Sequence, residues 1–94
     1  MRTIKQTNQF KRDLKRESKG MHRAFLAKEF TGMVETLATD EPLDRKFRDH
    51  PLSGEWKDHR DCHIRPDLVL IYRKPDKEPL LELVRLGSHS ELGL

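Results

Sequence analysis

The sequence predicts an α+β domain, with two N-terminal antiparallel helices packed on a small antiparallel β-sheet. Three observations carry that expectation. Apolar residues recur at helical spacing over the first forty positions, Pro42 and Pro51 break the pattern, and runs of apolar and β-branched residues over 68–73 and 80–86 replace it. At 94 residues the chain is read as one domain, 1–94, with one core and about 60–65% of its unfolded surface buried.

In chain order, Thr3–Gln6 is a short strand candidate. Thr7 is the N-cap of a helix running to about Glu17, with Phe10 and Leu14 facing inward at i, i+4. Gly20 ends it, and a second helix runs from about Met21 to Ala38. Leu26, Phe30, Met33 and Leu37 form its inward stripe, with Phe25 and Val34 beside it. Gly32 costs this helix about 1 kcal/mol relative to Ala and is expected to allow close packing. Residues 39–53 read as loop. Glu55–Asp58 and Arg60–Ile64 are short strand candidates, Leu68–Arg73 is a strong one, Pro75–Pro79 turns, and Leu80–Leu86 returns as the second arm of a hairpin. The chain contains no internal repeat and no low-complexity segment.

Composition bounds the function. Hydrophobic residues make up 34% and charged residues 37%, as in a soluble protein with a small core. One cysteine, Cys62, excludes an internal disulfide and fits a reducing compartment. The N-terminus has no apolar stretch of signal-peptide length, and no run approaches the roughly 20 apolar residues of a membrane span, so the expected location is the cytoplasm. Net charge is only +3, but residues 1–28 carry nine Lys and Arg against Asp13 and Glu17. Such a surface faces a polyanion or an acidic partner; its plainer reading is a solvated helix face.

The chemistry concentrates between Asp49 and Asp67, where three histidines and four aspartates surround Trp56 in DHPLSGEWKDHRDCHIRPD. A further histidine follows the last strand in VRLGSHSEL, near Arg85. In an extended 59–64 segment His59, Asp61 and His63 share one face, while Cys62 and Ile64 point to the core. Asp67 begins the next strand, where it can approach His63, and a hairpin can bring Arg85 and His89 beside both. Metal-free cleavage of RNA by the ribose 2′-hydroxyl needs such a set: a base for the 2′ proton, an acid for the departing 5′ oxygen, and a cation for the charge on phosphorus. Imidazoles suit both proton roles and a guanidinium suits the phosphate. Each residue also has a plainer place, His50 in a loop, His63 on a strand face, His89 in a polar tail, Trp56 as a packing anchor, and His22 and His59 at the surface. A metal centre is the rival, since His50, His59, Cys62, His63, Asp61, Asp67 and His89 include good ligands. Their spacings match no established ligand pattern, so no metal or other cofactor is expected.

Taken together, DHPLSGEWK at Asp49–Lys57, RDCHIRPDLVLIY at Arg60–Tyr72 and RLGSHSEL at Arg85–Leu92 resemble the YafQ branch of the RelE superfamily of bacterial toxins. The resemblance is tight over residues 45–92, and the helical half agrees in length and pattern. It implies the RelE-like microbial RNase fold and a type II toxin, a ribosome-dependent, metal-independent mRNA endoribonuclease that cuts codons in the A site. It implies catalytic roles for His50, His63, Asp67 and His89, with Asp61 in support. His89 would be the acid, Arg85 the phosphate clamp, and one of His50, His63 or Asp67 the base. Lys11, Lys15, Arg16, Lys57 and Arg60 would contact RNA phosphates. Implied partners are the 70S ribosome with its mRNA and a cognate antitoxin, a ribbon-helix-helix protein like DinJ, through which alone the toxin meets operator DNA. The chain departs from the family at His59, where tyrosine is common, and at its end. There Leu92 or Leu94 must replace a terminal phenylalanine. Two other readings share the fold, a non-enzymatic toxin and a silent co-repressor partner.

Overall fold

A computed structural model describes residues 1–94. Strand β1 (Thr3–Gln6) leads into helix α1 (Asn8–Glu17), and Thr7 caps that helix by accepting from the Phe10 N–H at 2.9 Å. The second predicted helix is two, α2 (Arg23–Lys28) and α3 (Phe30–Ala38), which meet at Glu29. The predicted inward stripe nevertheless holds, and Leu26, Phe30, Met33 and Leu37 are all buried. Gly32 is not a packing site: a Cβ built there meets nothing within 4 Å.

A 3₁₀ turn at Arg45–Phe47 precedes the two-residue strand β2 (His50–Pro51), inside the segment expected to be loop. Glu55–Asp58 is not a strand, because Gly54–Trp56 form another 3₁₀ turn. Strands β3 (Arg60–Arg65), β4 (Leu68–Arg73) and β5 (Leu80–Gly87) follow, then the short helix α4 (His89–Leu92) where a polar tail was expected. The sheet runs β1-β5-β4-β3-β2 and is antiparallel except for β1, which pairs parallel to β5 with Thr3 opposite Leu80. No local signal in Thr3–Gln6 specifies that pairing, because the helices between the strands set its direction.

The two faces of the sheet differ. One carries Cys62, Ile64, Leu68, Leu70, Tyr72, Leu81, Leu83 and Leu86, and with α1–α3 forms the main core. The other carries Val69 and Ile71 under Leu92 of α4, with Leu52, Trp56 and Val84 around them. This thin second layer places polar groups beside a dry surface. No helix is long and apolar enough to cross a membrane.

Candidate active site

The register of the sheet assembles the site. His50 lies opposite Asp61 across β2–β3, Asp61 opposite Ile71, and His63 opposite Val69. Asp61 and His63 therefore stand on the second face, as the alternation of β3 requires. His89, the first residue of α4, completes a row: ring centroids of His50 and His63 lie 5.8 Å apart, and those of His63 and His89 4.8 Å.

Asp61 is not open to solvent as expected but 2% exposed. His50 Nε2 sits 2.9 Å from Asp61 Oδ1 and His63 Nε2 4.0 Å from Oδ2. Despite that 2.9 Å approach, Asp61 Oδ1 has no hydrogen-bond partner. Burial raises the Asp61 pKa above the usual carboxylate value, and the neighbouring His50, His63 and His89 oppose that rise. The Nδ1–H of His50 donates to the Arg48 carbonyl at 2.7 Å, which fixes its tautomer and leaves Nε2 facing Asp61. For His63 the dominant effect is desolvation, which lowers its pKa; Asp61 works against this, and His89, His50 and Arg48 add to the lowering. A cleft of about 470 Å³ beside the row is lined by His63 and His89 together with Lys46, Arg48 and Arg65.

Other expected residues lie elsewhere. Asp67 occupies the exposed turn between β3 and β4 and forms no ion pair or hydrogen bond with His63. Arg85 lies opposite Ile71 on β5, but its Nε is held 2.8 Å from Asp13 Oδ2, so the guanidinium is already engaged. His59 precedes β3 and stacks edge-on against Trp56. Arg16 and Arg60 are in ion pairs, with Asp13, Glu17 and Glu91 and with Asp49, whereas Lys11, Lys15 and Lys57 are exposed and form none. Leu92 is 5% exposed and packs in the second core, whereas Leu94 is exposed. The metal rival fares better in space than in sequence, since ligand atoms of His50, Asp61 and His63 lie within 4.8 Å of one another.

Two residue sets escaped sequence reasoning. The run RKFRDH supplies Lys46 and Arg48, whose visible signal was basic density directly before His50. Asp13 is fully buried, and nothing in a basic helix marks it as such.

A family model described as the bacterial toxin of a type II toxin–antitoxin system, YafQ, matches residues 2–93. The mRNA interferase toxin YafQ of Escherichia coli strain B is 36% identical over 91 residues, covering 97% of this chain and 95% of that protein. A metal-bound toxin from Helicobacter pylori superposes with a TM-score of 0.83 at 48% identity, covering 98% of this chain and 99% of the other. The toxin of the E. coli DinJ–YafQ toxin–antitoxin complex gives a TM-score of 0.75 at 35% identity, covering 97% and 96%.

Proposed function

The chain belongs to the YafQ family of type II toxins, and from that premise we propose that it is an endoribonuclease that cuts mRNA in the ribosomal A site by attack of the 2′-hydroxyl. The observation that carries this reading is the row His50–His63–His89 over a buried aspartate, beside a cleft lined with cations. His63 is the base: its lowered pKa keeps an imidazole lone pair free near neutral pH. His89 is the acid for the departing 5′ oxygen, and Asp61 steadies the imidazolium charge that forms. Arg48 supplies the positive charge for the phosphate, the role expected of Arg85. Exposed Lys11, Lys15 and Lys57 meet RNA phosphates.

The same family membership and the DinJ–YafQ complex support a cognate antitoxin as partner. A ribbon-helix-helix antitoxin would join the toxin to operator DNA and hold it silent in the cytoplasm. A transition metal fits the cluster as well, because buried Asp61 Oδ1 lacks a hydrogen-bond partner and His50 and His63 nitrogens are close by. Those three residues would hold the ion, which when bound supplies Lewis acidity. The proton transfers above need the same nitrogens free.

Induction in a bacterial host, followed by mapping of new mRNA 5′ ends, tests the reading. Ends within in-frame codons of translated messages are the expected result. Growth arrest without such ends would sink the endonuclease and leave a non-enzymatic toxin.

The pH dependence has a definite sign. His63 must be neutral to act, and its folded pKa lies below the usual 6.5. The acid limb of the rate profile is therefore expected to have a midpoint below 6.5, a value belonging to the coupled row rather than to one ring. Stability follows the same direction. Between the folded pKa and 6.5 the unfolded chain binds more protons, so the His63 contribution is present above 6.5 and is lost as pH falls through the folded value. A midpoint above 6.5 would remove the lowered pKa as the ground for making His63 the base.

A further inference from the structure

Helix α1 reaches the C-terminal helix through charges that the reaction itself does not use. Asp13 is 0% exposed and takes four donors: Arg85 Nε at 2.8 Å, Arg85 Nη2 at 3.4 Å, Arg16 Nη1 at 3.2 Å and the Leu86 N–H at 3.0 Å. The last of these has a topological cause. Strand β1 ends opposite Leu83, so the outer edge of β5 beyond it has no strand partner, and the Asp13 carboxylate takes that place.

Arg16 extends the network. Its Nη2 donates to the Leu86 carbonyl at 3.1 Å and lies 3.2 Å from Glu91 Oε2. The bridge passes over Gly87, where a Cβ would stand 3.1 Å from Arg16 Nη2 and 3.3 Å from Glu91 Oε1. Glu91 Oε1 in turn accepts from the Ser88 N–H at 3.1 Å, and Ser88 Oγ accepts from the Glu91 N–H at 3.2 Å. That capping box opens α4, and His89 is its first residue.

Four residues cannot hold a helix unaided, so α4 takes its place from outside contacts. We propose that Asp13, Arg16 and Glu91 form a positioning relay that sets His89 against His63. The inference rests on His63 and His89 being the proton-transfer pair. Arg16 is then a positioning residue rather than an RNA contact, since three carboxylates surround its guanidinium. Simple stabilisation does not account for the outer arm. The Arg16 and Glu91 side chains are 44% and 42% exposed, and ion pairs at that exposure contribute little to global stability. Their consequence is the placement of α4.

Glu91→Gln and Arg16→Met test the relay, with Arg16→Lys as the conservative variant. Each is compared with the wild type by thermal melting, by cleavage of ribosome-bound mRNA resolved into kcat and KM, and by NMR contacts between the His63 and His89 rings. The expected result is a near-native melt, a weakened ring–ring contact, and a kcat lowered about 5-fold at unchanged KM, with Arg16→Lys recovering part of both. Unchanged ring contacts in Glu91→Gln would overturn the relay. So would a raised KM at constant kcat in Arg16→Met, which would make Arg16 an RNA contact. If wild type itself does not cleave but the ring contact still depends on Glu91, the relay stands and the endonuclease reading fails.

Discussion

Replacing His89 with alanine is expected to lower mRNA cleavage by roughly 10²–10⁴-fold with the fold intact. The imidazole stands 4.8 Å from the His63 ring, while α4 is held by other groups: Leu92 in the second core, the Ser88–Glu91 capping box and the Arg16–Glu91 ion pair. Truncation therefore removes the proposed acid without removing a support. His63→Ala should be as severe, because it removes the imidazole that burial keeps neutral and able to accept a proton. The double variant should be little worse than either single one, as in other sites where the groups act as a unit. Cleavage kinetics on programmed ribosomes, set beside a melting curve for each variant, supply the measurement. Cleavage at the wild-type rate in His89→Ala would take proton transfer away from this row.

The largest effect on stability is expected at Phe10. Its ring is 0% exposed and stacks on Phe30 at 6.2 Å between centroids and 19° between planes, joining α1 to α3 under the sheet. Phe10→Ala should cost about 3–5 kcal/mol through lost burial and the cavity left behind. A domain of this size holds about 5–15 kcal/mol in all, so the melting temperature should fall by roughly 12–40 °C. Activity would follow, since Asp13 lies one turn along the same helix and grips β5 and Arg16. A shift of about a degree or two would mean that the α1–α3 contact collapses to fill the space.

The local elements were largely legible. Thr7 caps as expected, and Thr3–Gln6 and Leu68–Arg73 are strands with the bounds read from their residues, because apolar spacing and turn residues act over a few positions. Alternation along β3 rightly put Cys62 in the core and set Asp61 and His63 on the opposite face. The helix break at Glu29 was not legible, since the stripe from Leu26 to Leu37 survives it and periodicity cannot tell one helix from two in line. Short helix α4 was not legible, because three polar residues and one leucine carry almost no periodic signal.

By itself, then, the sequence determined the fold class, the polar face of β3 and the family, all properties written in residues close together along the chain. Tertiary structure alone decided which charges are free. Arg85 looked available for phosphate, yet a carboxylate 72 positions away holds it. Asp61 looked open, yet the row of imidazoles and the sheet around it leave it 2% exposed. Arg48 looked like one more basic residue in a run, yet its carbonyl fixes His50 and its charge reaches His63. The physical reason is the same in each case. Coulomb energy, desolvation and hydrogen bonding depend on distance and burial in three dimensions, and packing sets those only after elements remote in sequence have met.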